Sequence, residues 1–169
     1  MHIRRVVTAN GPDGKSRVIF DGAPGNTIEP VAGLRLSDIW ETTAPPTRVD
    51  GMTADSVARP IRLDPPRGGA IFKVVTYPPV DSFPANAWAD VYEKISAARD
   101  SNDGGAMHKT TTIDFVACIE GEISCVLETE VVTLRCGDVL VQLGSNHGWE
   151  NRTDKPATII GVMLDNSHD

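Results

Sequence analysis

The 169-residue chain has no apolar run long enough to span a bilayer, and none follows the opening Met-His-Ile-Arg-Arg as the core of a secretory signal would. The expectation is therefore a cytoplasmic protein with no membrane partner. A basic surplus is missing too. Its 16 Lys and Arg stand against 23 Asp and Glu, a net charge of -7, and this excludes the basic face that a nucleic-acid backbone requires. The three cysteines (Cys118, Cys125 and Cys136) are odd in number and lack CxxC spacing, so they provide neither a disulfide framework nor a zinc ribbon. They read as buried, reduced thiols that fill the core as small hydrophobes. No internal repeat or low-complexity segment is present.

What the chain does have is punctuation. Fifteen glycines and twelve prolines break its apolar runs into short pieces, the pattern of many strands joined by turns. Arg4 to Thr8 and Arg17 to Phe20 read as two strands, with the turn signal Asn10-Gly11-Pro12-Asp13-Gly14 between them, which predicts a hairpin. Leu34 to Glu41 and Ala70 to Thr76 read as further strands. Thr42 to Gly69, with five prolines and no sustained period, reads as an irregular wrapping arm. Trp88, Val91, Tyr92, Ile95 and Ala98 recur at helical spacing, predicting one short helix capped by Asn86 and closed at Gly104-Gly105. That helix is expected to pack on the outside of the barrel, or to form a lid or dimer contact near the site.

From Met107 onward the pattern is continuous β, with strands expected through 107–119, 122–128, 131–135, 138–143 and 157–164. Tight turns fall at Glu120-Gly121-Glu122 and Arg135-Cys136-Gly137-Asp138. The fold class is thus all-β with one short helix, in a single domain spanning 1–169. Residues 1–100 supply N-terminal strands, arm and helix, and 101–169 supply the barrel.

Period two through 107–118 places His108, Thr110, Thr112, Asp114, Val116 and Cys118 on one face. That face is polar at one end and apolar at the other, as expected for a barrel wall with a ligand site at its mouth. Inward polar groups need partners, and a small-molecule pocket has this mixed lining. Further on, Gly137 turns the chain, Val139 to Leu143 reads as a buried strand, and Gly144 permits a second sharp turn. His147 is then expected at the end of a rigid strand, followed by Trp149 and Asn151.

These two segments resemble the paired motifs of the cupin superfamily, HxHx3–4Ex6G and Gx5PxGx2Hx3N. His108 matches the first histidine, Thr110 stands at the second, Asp114 at the glutamate, and Gly121 follows at the expected distance. Gly144, His147 and Asn151 match the second motif, while Gln142 replaces its proline and the gap from Gly137 is one residue short. The resemblance covers Gly104 to Leu164 and implies a double-stranded β-helix, or jelly-roll, barrel.

The resemblance also implies a divalent metal (iron, manganese, nickel or zinc) held by three histidines and one acid. Here the set reduces to His108, Asp114 and His147, which as two histidines and a carboxylate can form a facial triad. Equally open is a metal-free site in which His147 or Asp114 acts as acid or base, with a role for His108 and with Thr110, Thr112 and Trp149 binding substrate. Cupins include dioxygenases, decarboxylases, isomerases, dehydratases, lyases and plain binders. The sequence therefore implies a small-molecule enzyme acting on an organic, aromatic or oxygenated metabolite, with a non-catalytic ligand binder as the alternative. Exposed strand edges lead to the expectation of a homodimer, with the N-terminal strands crossing to a partner subunit. Asn151 reads as a turn residue, and His2 and His168, at the termini, carry no assigned role.

Overall fold

The structure is a computed structural model that describes residues 3–10, 16–43, 54–84, 87–95 and 107–166. Eleven strands are present among these residues: β1 (Arg5–Asn10), β2 (Ser16–Gly22), β3 (Ile28–Val31), β4 (Leu34–Thr42), β5 (Ala70–Tyr77), β6 (Thr112–Glu120), β7 (Glu122–Leu127), β8 (Val131–Arg135), β9 (Val139–Leu143), β10 (His147–Glu150) and β11 (Ala157–Asp165). One short helix, α1 (Ala87–Lys94), carries the stripe of Val91, Tyr92 and Ile95 into the core. The expected cap at Asn86, the stripe position Ala98 and the closing Gly104-Gly105 lie outside the described residues, as do the tip of the N-terminal hairpin, part of the arm, and both terminal histidines.

All strand pairs are antiparallel. A six-stranded sheet runs in the order β3-β4-β5-β11-β6-β9, and a three-stranded sheet in the order β10-β7-β8. Half of the large sheet comes from before residue 100 and half from after it, so the first hundred residues help to build the barrel wall as well as flank it. The core between the sheets includes Leu34, Leu36, Ile123, Leu134, Trp149 and Ile159. β1 and β2 pair with each other and are anchored on their own chain, where Arg5 forms an ion pair with Asp55 and Phe20 packs on Trp40.

Most of the turn chemistry follows the sequence. Gly121 adopts φ +72° between β6 and β7, and a Cβ there would lie 2.8 Å from the Pro156 carbonyl oxygen, so only glycine fits. The elements not foreseen are β3, β10 and the 3-10 turn Val80–Ser82. β3 is four residues long and includes Pro30. β10 is a four-residue strand too short to establish a period. Two expectations are corrected: Cys118 and Cys125 are buried, but Cys136 is exposed, because it sits in the turn between β8 and β9 instead of on an inward strand position. The strand Val139–Leu143, expected to be buried, is the edge strand of the large sheet, and Val139, Val141 and Leu143 face outward.

Candidate active site

The alternation expected on β6 is present. Thr112, Asp114, Val116 and Cys118 are buried while Phe115 and Ile119 are exposed. Because the side-chain period is two, cross-strand register carries this inner face across the large sheet. One inward row joins Leu36, Val75, Ile159 and Cys118, the next joins Asp38, Lys73, Gly161 and Val116, and a third brings Met163 beside Asp114. The wall thus passes from apolar to charged along the strand direction. In front of it lies a cavity of about 110 Å³. Its lining includes Lys73 and Asp114 from the large sheet, His147 and Trp149 from β10, Tyr92 from α1, and His108.

The strand expected through 107–119 is shorter than predicted. Regular pairing begins at Thr112, and His108 makes an isolated bridge to His147 instead. Their backbones exchange two hydrogen bonds, His108 N to His147 O at 2.8 Å and His147 N to His108 O at 3.0 Å. The two rings therefore lie 4.3 Å apart between centroids. His147 opens β10, beyond the Gly144 turn, and does not sit at the end of β9. A row of ring contacts continues on both sides, from Trp88 through Tyr92 to His108, and from His147 to the edge of Trp149.

One hydrogen bond fixes a proton on His147. Its Nδ1 lies 2.9 Å from the Ser145 carbonyl oxygen, which can only accept, so Nδ1 donates and, in the neutral ring, Nε2 has the lone pair. Burial lowers its proton affinity below the usual 6.5, outweighing the Ser145 bond, which favours the charged ring. Tyr92 Oη lies 3.1 Å from Nδ1 of His108, a contact between helix and site that sequence reasoning missed. Tyr92 had been legible only as a member of a helical stripe.

Asp114 is buried, and burial pushes its carboxyl above the usual 3.8, with the Thr112 hydroxyl pulling the other way and Asp64 adding to the rise. Its cross-strand partner is Gln142. Asp114 Oδ1 and Gln142 Oε1 are both buried without a hydrogen-bond partner. A buried carboxylate oxygen without a donor adds to the cost of the charged form, in the same direction as burial.

The two threonines expected to bind substrate do not line the cavity. Thr110 and Thr112 are buried and bond to each other at 2.7 Å, and Thr112 also supports Asp114. Asn151 is structural, as the sequence indicated. Its amide nitrogen donates to the carbonyls of Tyr77 and Lys155, and its oxygen accepts from Thr153.

Iron, manganese, nickel or zinc would require three converging ligands. Among the described residues no three His, Cys, Asp or Glu side chains gather closely enough to hold one ion. The rings of His108 and His147 come together, but Asp114 does not complete a triad with them. Aspartate has a short reach, and this one is bonded back to Thr112 on its own strand. The residues present do not fit the expected metal set.

No protein-family model matches the chain. A stretch of 57 residues is 46% identical to the "Phomopsin biosynthesis cluster protein C'" of Diaporthe leptostromiformis, covering 32% of this chain and 30% of that protein. Another of 63 residues is 38% identical to the "Cupin-domain-containing oxidoreductase virC" of Hypocrea virens, covering 35% of this chain and 32% of that protein. The matches thus span about a third of either relative's length. Among solved structures, the Schizosaccharomyces pombe Cnp3 cupin domain superposes with a TM-score of 0.50 at 9% identity, covering 98% of this chain and 89% of that one.

Proposed function

Since the chain has the cupin fold, we propose that it is an enzyme of small-molecule metabolism that moves protons within its barrel cavity. The observation that carries this reading is that His147 and Asp114 line one cavity, where burial lowers the proton affinity of the imidazole and raises that of the carboxyl. His147 Nε2 has the lone pair of a general base, and Asp114 has the hydrogen of a general acid. A base that removes a proton at one carbon and an acid that returns one elsewhere performs an isomerisation. The same pair, with the acid protonating a departing hydroxyl, performs a dehydration. His108, bridged to His147 through the backbone, fixes the position of the base, and Trp149 supplies an apolar face for the substrate. The biosynthesis-cluster names of some relatives support a step in making a small organic molecule.

The test is to incubate the purified protein with a small-metabolite extract and follow which compound is consumed. His147→Ala and Asp114→Asn are each expected to slow that consumption by about 10² or more. Full turnover by both variants would remove the assignment. A stoichiometric metal whose chelation abolishes turnover would replace proton transfer with metal-assisted chemistry. A ligand that is bound and recovered unchanged would make the protein a binder.

A further inference from the structure

The large-sheet wall carries charges that proton transfer does not use. Asp38 Oδ1 accepts from Lys73 Nζ at 2.6 Å, and Asp38 Oδ2 accepts from Arg59 Nη1 at 2.9 Å. Glu41 Oε2 accepts from Arg59 Nη2 and, at 2.6 Å, from Arg62 Nη2. Among the described residues the network therefore sets three cations against two carboxylates, an excess of one positive charge. The neighbouring pair Arg5–Asp55 balances itself, and the exposed Asp64 forms no ion pair with the three cations. Burial favours the neutral form of Asp114, the other acid on this wall. Asp38 is wholly buried and Lys73 nearly so, while the Arg59 and Arg62 side chains are 20% and 35% exposed, so the unmatched positive charge falls on the arginine end of the network, where an anion can join it.

The excess is directed at the cavity. Of the five members of the network, Lys73 and Arg62 line it. Lys73 Nζ donates to Asp38 and to the Arg62 carbonyl, which accounts for two of its three hydrogens. Arg62 Nε is buried with no partner. Beside Lys73 in the inward row stands Gly161, where a Cβ would meet only ordinary contacts at 3.5 and 3.6 Å. A side chain would fit there, and its absence leaves space next to the ammonium group.

We propose that Lys73 and Arg62 bind the carboxylate of the substrate, so that the enzyme acts on a small monocarboxylic acid with an apolar or aromatic body. The body would rest against the apolar lining that includes Leu36, Val75, Val91 and Ile159. A single excess charge matches a monoanion, whereas a phosphate dianion would overshoot it. The cavity volume corresponds to a ligand of about ten non-hydrogen atoms, taking about 12 Å³ per water-sized sphere. That this ligand is a substrate rests on the proton-transfer reading, and its binding shares with that reading only a neutral Asp114.

The probe is phenylacetate, titrated calorimetrically into the full chain beside phenylacetamide, which has the same shape and no charge. Phenylacetate is expected to bind once per chain, at least about tenfold tighter than the amide. Arg62→Gln should bring acid affinity down to that of the amide and leave amide binding unchanged. This variant leaves Glu41 its second partner, Arg59, and so preserves the fold. Gly161→Val should weaken both ligands by filling the space beside Lys73. Equal affinity for acid and amide, no binding of the acid, or an acid affinity indifferent to Arg62→Gln would overturn the carboxylate site. If the acid is preferred while His147→Ala and Asp114→Asn keep full turnover, the carboxylate site stands and the proton-transfer reading falls.

Discussion

On the large-sheet wall of the cavity the polar groups other than Asp114 are charged and locked in pairs, Lys73 with Asp38 and Arg62 with Glu41. On the opposite wall they are neutral rings, His147 and Trp149 from β10 and Tyr92 from α1, meeting through edges and hydrogen bonds. The difference divides the work. Paired charges in a buried wall are stiff, because breaking one pair strands the other member. Neutral rings can accept or release a proton without a full charge having been buried beforehand. A fixed electrostatic wall is suited to holding a ligand still, and a wall of neutral imidazole is suited to reacting with it.

The sharpest way to break the contrast is Lys73→Met, which leaves Asp38 buried with Arg59 as its sole partner. The expected loss is about 3 to 5 kcal/mol in urea unfolding, and the double variant Lys73→Met with Asp38→Asn should recover much of it. A loss below about 1 kcal/mol would mean that the charged wall is no stiffer than the ring wall.

A second measurement separates the walls by pH. The Asp114 carboxyl is raised above 3.8 by burial, so its contribution to stability is complete below 3.8 and is lost as pH climbs through its folded value. The His147 imidazole is lowered below 6.5 by burial, so its contribution is complete above 6.5 and is lost as pH falls through its folded value. The two slopes have opposite signs between 3.8 and 6.5. Unfolding midpoints measured across that window should lose their downward limb with rising pH in Asp114→Asn. They should lose their upward limb in His147→Gln. Unchanged profiles in both variants would refute the buried states assigned to these groups.

A smaller effect is expected on the ring wall. Tyr92→Phe removes the hydroxyl beside His108 and should cost about 1 kcal/mol, read by thermal unfolding. A cost of about 3 kcal/mol or more would make this wall as stiff as the other. The mildest test concerns the outer edge of the large sheet, where Val139, Val141 and Leu143 of β9 are 74%, 58% and 73% exposed. The sequence led to the expectation of a homodimer, and if a second copy covers this edge, light scattering returns twice 18.2 kDa, whereas a mass of 18.2 kDa removes the dimer.

The sequence made one wall of this cavity easier to read than the other. Alternation on β6 was legible because polar and apolar residues alternate from Thr112 to Phe115, and burial then follows period two through to Cys118. His147 was legible from its spacing to Gly144 and Asn151, although not its place on β10, since four residues cannot display a period. The charged network went unread, yet its signal was present. Asp38 shares a parity with Leu34 and Leu36, and Lys73 shares one with Ile71 and Val75, so each strand placed a charge in an inward series of hydrophobes. What sequence alone could not supply was the register that brings these two residues side by side. Thr110 and Thr112 were placed on the correct face, but the chain is not a strand before Thr112, and their hydroxyls spend themselves on each other.

The row of rings has an optical consequence. Trp149 stands in ring contact with His147, while Trp88 meets the rings of Phe83 and Tyr92, and Trp40 packs against Phe20. An imidazolium quenches a neighbouring indole and an imidazole does so much less, so Trp149 is the emitter placed to report on the protonation of this site. The protein thus carries its own gauge of proton position, readable in the native chain with no dye, label or known substrate.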